Sequence, residues 1–368
     1  MGPAVALIEV IGFATGASRG ARWKPPAGAA GYRMTMGLQR LGFFTYLGGA
    51  RDPGTVLAET IELFVAAERL GFDSVWVAQH HFGPLVGTLP SPLPFLAAVA
   101  ARTRSIRLGT AVVILPLEHP VRLAEDAAVV DLLSGGRLEL GVGSGTDPAA
   151  FPAFGADPAR RRALMEDGLR ALLAGLRGEA LPGGHRVHPP ADGLARRVWQ
   201  GLFSPERARE AAAAATHLLL PRALPGDPAL AAGQQARAAS AFREAWSQPW
   251  PGRVALSRPV YPSRDAAAAR CELADELTSQ VEQANRLRAR SGRPADLGLQ
   301  DFLDAGVFHL GSVEDVVASL GADPALPLAD ELICQVGHLG AGHENTLRAL
   351  ELLATRVAPA LGWRPRGD

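Results

Sequence analysis

Short apolar runs and amphipathic stretches alternate along this chain, and the alternation completes itself eight times. The apolar runs lie at 41–47 (LGFFTYL), 74–78, 106–115, 137–143, 196–201, 217–220, 253–261 and 331–337. Helical patterns fill most of the gaps, at 54–71, 93–104, 120–136, 161–178, 205–215 and 265–291, and a last one at 345–361 ends the series. In 54–71 the apolar residues Val56, Leu57, Ile61, Phe64, Val65 and Leu70 recur near helical spacing, and Gly71 stops the helix. Pro120 suits a first helical turn and Gly135-Gly136 a helix end. Strands separated by single helices and short connections run parallel, joined by crossovers. Eight such units predict an α/β chain folded as a (β/α)8 TIM barrel with loop insertions. An open doubly wound sheet is the alternative.

The bulk numbers agree with a single large domain over residues 37–368. The chain has 368 residues and is 48% apolar, enough for one barrel with insertions. Lys plus Arg and Asp plus Glu both total 37, so charge gives no reason to expect nucleic acid or an anionic membrane as partner. Two cysteines, Cys271 and Cys334, speak for a reducing compartment and a cytoplasmic location. Residues 1–36 read as a flexible extension. Their apolar run, Val5 to Ala14, is too short to span a bilayer and has no basic segment before it. Met34 and Met36 are plausible alternative starts.

In a barrel of this kind chemistry sits at the carboxyl ends of the strands. There the second strand delivers "VWVAQHHF", with adjacent His80 and His81. Two neighbouring side chains cannot easily point at one ion, and no H-x-H, H-E-x-x-H or C-x-x-C spacing occurs, so no metal is expected. His80 is the candidate general acid or base, because an ordinary imidazole titrates near working pH. His81 reads as a packing residue. "GVGSGT" (141–146) fails as a dinucleotide fingerprint: Thr146 stands at the third glycine position, and the segment closes a fourth strand. In "LFSPERAREAA" (202–212), Ser204 is placed to cap a helix whose first residue is Pro205, leaving backbone N–H groups for an anion. Arg162 can bring a cation to the same end.

These stretches together resemble the bacterial luciferase-like family of flavin-dependent monooxygenases. The likeness runs through "WVAQHHF", "RLGTAVVILPLEHPVRLAEDAAVVDLLSGGRLELGVGSG", "FPAFGADPARRRALM", "VWQGLFSPERAREAA" and "LGSVEDVVASL", across about residues 40–361. The resemblance implies a barrel that binds reduced FMN and combines it with O2 through a flavin peroxide to oxygenate a small organic substrate. It makes His80 the catalytic histidine and puts Gln79 where the family has glutamate. It places a cis peptide at Ala111-Val112, under the flavin ring.

For the flavin phosphate the resemblance points to Arg162 and to the helix opening at Phe203-Ser204. The family's other phosphate arginine is Ser144 here; Arg207, which the pattern does not require, is placed to compensate. Phe43, Phe82, Phe151 and Phe154 would line an apolar mouth. A separate flavin reductase would supply the reduced cofactor in a two-component system. The helices after strands two and three would pair subunits into a homodimer. A deazaflavin-dependent oxidoreductase and a flavin-binding protein without turnover are the rival readings.

Overall fold

The computed structural model describes residues 38–48, 51–83, 88–222, 228–290, 292–304, 308–337 and 340–365. The extension assigned to residues 1–36 lies outside them. Eight parallel strands form the barrel: β1 (Arg40–Phe44), β2 (Ser74–Val77), β3 (Arg107–Thr110), β4 (Leu138–Gly143), β5 (Val198–Gly201), β6 (His217–Leu220), β7 (Val254–Pro262) and β8 (Glu331–Gln335). Each pairs with its successor, and β8 closes the ring by pairing with both β7 and β1. The closed ring decides for the TIM barrel over the open sheet.

The outer layer contains α1 (Pro53–Arg69), α2 (Pro92–Ala100), α3 (Pro120–Leu133), α4 (Arg161–Leu176), α5 (Pro205–Ala213) and α6 (Pro228–Ala245). After β7 come α7 (Ala266–Glu272), α8 (Ala274–Arg290), α9 (Leu299–Asp304) and α10 (Val313–Gly321), and α11 (Gly342–Leu352) follows β8. The starts obey local chemistry. Asp52 accepts a hydrogen bond from the Thr55 N–H at 2.8 Å, and Ser312 and Asp315 form a reciprocal capping box.

The structure corrects the sequence reading in four places. The third strand, expected over 106–115, ends at Thr110. A cis peptide follows at Ala111-Val112, and Val113–Ile114 then pairs separately with Val142–Gly143 of β4. Residues 228–245, absent from the expected helices, are helix α6; its small Ala236 and Ala239 and its Phe242 pack with Ala208, Ala211 and Ala212 of α5. The helix expected at 265–291 breaks at Leu273 into α7 and α8. Beyond it, His309–Gly311 adds a short strand to the end of β7. Among the described residues no helix is long and apolar enough to cross a membrane.

The lumen is filled at mid-height by Phe44, Trp76, Ala78, Trp199, Leu219, Ala255 and Ile333, with Tyr46, Ala111 and Val112 packed on them from the mouth side. Gly109 has no side chain because a methyl there would collide with the Trp76 indole. Below this layer, at the amino ends of the strands, the floor is charged. Glu139 and Glu331 are fully buried, and Arg253 bridges them at 3.0 and 2.9 Å. Arg107 also pairs with Glu139, while Trp199 Nε1 donates to Glu139 at 2.7 Å and Trp76 Nε1 to Glu331 at 3.0 Å. The Arg253 guanidinium lies 4.6 Å above the Trp199 ring, so every group in the plug is satisfied by charge, hydrogen bond or aromatic face.

Candidate active site at the barrel mouth

Gln79, buried just past β2, holds the mouth together. Its Nε2 donates to Glu118 Oε1 at 2.6 Å and to the Pro90 carbonyl at 3.0 Å, while its Oε1 accepts from the Ile114 N–H at 2.6 Å. Its backbone N–H donates to the Val112 carbonyl at 3.2 Å. One amide therefore ties the histidine segment to the cis peptide and to the turn after it. The sequence marked Gln79 only as a missing charge; the carboxylate at this corner comes instead from Glu118. Replacing Gln79 by glutamate would set two carboxylates against each other. One of them would then have to stay protonated in the fold, so the variant should lose stability as pH rises from the carboxylate range toward neutral. Thermal melts across pH should show that slope, and adding Glu118→Gln should abolish it.

His80 follows at the lumen edge, its ring 5.3 Å from Tyr46 and its backbone N–H bonded to the Leu89 carbonyl at 3.2 Å. Burial, reinforced by His81 and Arg222 and opposed by Asp147, pushes its pKa down to about 4. This corrects the expectation of titration near working pH: at neutral pH His80 is an uncharged imidazole, able to accept a proton. His81 packs its ring 4.7 Å from Phe154 and 5.7 Å from Phe82, with its Nε2 buried and no hydrogen-bond partner for it among the described residues. Of the four expected mouth aromatics, Phe82 and Phe154 form this exposed cluster. Phe151 is buried, and Phe43 belongs to the outer core against Phe64 and Phe72, which corrects its assignment to the mouth.

The Ala111-Val112 peptide is cis, at the position the resemblance indicated. Three glycines make room for it. A Cβ on Gly143 would stand 2.6 Å from Val112 Cγ2, and one on Gly201 3.1 Å from Val112 Cγ1; Gly141 would strike the Thr110 carbonyl. The result is a low apolar ledge across the ends of β3, β4 and β5.

Beyond β4 and β5 lies a charged corner. Ser204 caps α5 by accepting from the Arg207 N–H at 3.4 Å. Arg162 and Arg207 come together there, but they share Glu166 (2.9 Å from each) and Glu210 (3.4 and 2.6 Å). The two glutamates are the residues sequence reasoning missed, although Arg162–Glu166 and Arg207–Glu210 have the i,i+4 and i,i+3 spacings of helix ion pairs. Ser144 stands half-buried past β4 without a hydrogen bond to any described residue, and Phe203 is exposed. A flavin fits these residues. Its ring plane suits the ledge, and its phosphate suits a helix start with two arginines, provided it displaces the carboxylates.

The fold and the mouth together define a (β/α)8 enzyme barrel. The family profile described as luciferase-like monooxygenase matches residues 40–322. The chain belongs to that family. It is 41% identical over 145 residues to 4-hydroxyprotoasukamycin monooxygenase of Streptomyces nodosus subsp. asukaensis, covering 38% of this chain and 39% of that protein. It is 34% identical over 132 residues to an alkanal monooxygenase alpha chain of a Kryptophanaron alfredi symbiont, covering 36% of this chain and 37% of the relative. The matched region thus spans well under half the length of these relatives.

Among solved structures, monooxygenase RslO1 from Streptomyces bottropensis superposes with a TM-score of 0.74 at 26% identity, over 87% of this chain and 99% of that one. The same fold appears in the oxygenating constituent of 3,6-diketocamphane monooxygenase from Pseudomonas putida, solved with FMN (TM-score 0.69, 19% identity, 88% and 98% covered). It also appears in an F420-dependent secondary alcohol dehydrogenase (TM-score 0.67, 17% identity, 88% and 99% covered).

Proposed function

We propose that this protein is a flavin-dependent monooxygenase that uses reduced FMN and O2 to oxygenate a small organic substrate. The observation that carries the reading is the placement of His80 beside the Ala111-Val112 ledge, at the same mouth as the arginine-bearing start of α5. Bound reduced flavin would supply the electrons that activate O2. The chain's own residues do the rest. The ledge seats the ring, the α5 N-terminus with Arg162 and Arg207 receives the phosphate, and His80 holds or takes a proton at the reacting face. Phe82, Phe154 and Tyr46 keep bulk water from that face.

The test is anaerobic titration of the apoprotein with reduced FMN, then mixing with O2 in a stopped-flow spectrometer. Slow, biphasic reoxidation of the bound flavin supports the monooxygenase. Immediate monophasic reoxidation points to a flavin carrier without turnover. Binding of a deazaflavin in preference to FMN points to the rival oxidoreductase, a reading favoured by the carboxylates already paired to Arg162 and Arg207 and by Ser144 in place of a cation.

Reduced FMN would come from a separate reductase, in keeping with the related fold named as the oxygenating constituent of a monooxygenase. A homodimer through α2 and α3 is proposed as well, since α3 exposes Val129, Leu132 and Leu133 on one face. Sedimentation of the purified protein checks this.

A further inference from the structure

The far side of the mouth, where β6, β7 and β8 end, is polar, unlike the ledge. Gln335 is the last residue of β8 and pairs in register with Phe44 of β1. Ile333, two residues below it, and Ala255, two below Ser257, both face the lumen. Alternation along the strands therefore points Gln335 and Ser257 into the same space one layer higher. Gln335 Nε2 donates to Ser257 Oγ at 2.9 Å, while its Oε1 is buried with no hydrogen-bond partner among the described residues. On α8, Gln280 is buried with its Oε1 likewise unpartnered among the described residues, one turn beyond buried Glu276. Glu276 in turn packs its Cβ against Gly340, in the loop after β8.

Arg222, two residues past β6, completes this side. It is half-buried, acts electrostatically on both His80 and Glu276, and makes no hydrogen bond or ion pair with any described residue. Burial pushes the Glu276 carboxyl up to about 8 against the pull of Arg222. With its carboxyl kept largely protonated by burial, Glu276 does little to cancel the guanidinium charge at neutral pH. Buried polar atoms are rarely left unsatisfied, and a half-buried unneutralised arginine favours an anion.

We propose that the mouth selects a hydroxyl-bearing organic anion as substrate, its acidic group held by Arg222 and a hydroxyl donating to Gln335 Oε1. This rests on the flavin monooxygenase reading for the reaction, but not for the recognition. An apolar aldehyde or terpene would leave both groups desolvated and unmet, and a site built around hydrogen bonds rejects such ligands.

The test is a calorimetric titration of the flavin-loaded protein with matched probes. These are 4-hydroxybenzoate, 4-hydroxyphenylacetate and 4-hydroxycinnamate, each beside its methyl ester and its analogue lacking the hydroxyl. The acids should bind at least ~10-fold more tightly than either partner. Arg222→Met should erase the preference over the ester, and Arg222→Lys should retain part of it. Gln335→Leu should erase only the preference for the hydroxyl, with melting curves confirming that each variant is folded. Esters binding as well as acids, no saturable binding by any acid, or an Arg222→Met variant that keeps the preference overturns the proposal. The same titration on apoprotein separates the two readings: a chain that fails to bind reduced FMN yet still prefers the acids refutes the flavin reading alone.

Discussion

Replacing His80 with alanine is expected to lower oxygenated product by roughly 10²–10⁴-fold, the range a positioned proton-transfer group contributes. Among the described residues His80 is the imidazole placed at the lumen edge beside Tyr46 and the cis peptide, and its environment fixes its state. With the pKa held down to about 4, the neutral ring is the working form. Activity governed by it should stay level through neutral pH and fall only as the pH approaches about 4. A profile breaking near the ordinary histidine value, ~6.5, would show that substrate or cofactor re-solvates the ring, or that another group governs the rate. The measurement is product against hydrogen peroxide in a reductase-coupled assay, across pH, for wild type, His80→Ala and His80→Gln. Loss of product with continued peroxide release places His80 at the oxygenation step. Equal product from all three proteins removes it from the chemistry.

Much of this was legible in the sequence, for identifiable reasons. The eight strands announce themselves because a buried parallel strand is a short apolar run between turn signals, and "SVWVA" and "ELICQ" can hardly be anything else. Helix α6 was hidden because its packing surface is alanine, and small residues carry no visible hydrophobic period even when α5 and α6 are in close contact. The site divided the same way. His80 and Ser204 were readable from strand-end and capping chemistry, and Ala111-Val112 came only from resemblance.

What the sequence could not show was pairing between distant positions. Glu118 reaches Gln79 across 39 residues, and Glu166 meets Arg207 across 41. Nor could it show that burial takes His80 out of its usual titration range. The polar far wall at Gln335 and Gln280 was equally invisible, because a glutamine at a strand end or on a helix looks like any surface residue until its burial is known.

The barrel floor should respond more sharply than any surface ion pair. Arg253 bridges Glu139 and Glu331, and all three side chains sit among Trp76 and Trp199. Arg253→Met removes the charge while keeping much of the stem, so the loss reflects uncompensated buried carboxylates more than a cavity. Breaking such a pair typically costs about 3–5 kcal/mol. The urea midpoint should therefore fall with its slope unchanged. Adding Glu331→Gln should recover part of the loss, because Glu139 keeps Arg107 and Glu331 no longer needs a counter-charge.

The pH dependence gives an independent sign. Burial alone would raise Glu139, but Arg253 and Arg107 with the Trp199 indole bring it down to about 2. Its stabilisation is thus complete above the ordinary carboxylate range and drains away as pH falls toward about 2. Removing Arg253 raises the Glu139 pKa, so the variant's stability should change less than wild type's across that window. A midpoint unmoved by Arg253→Met would mean the floor is held by its two tryptophans and not by its charges.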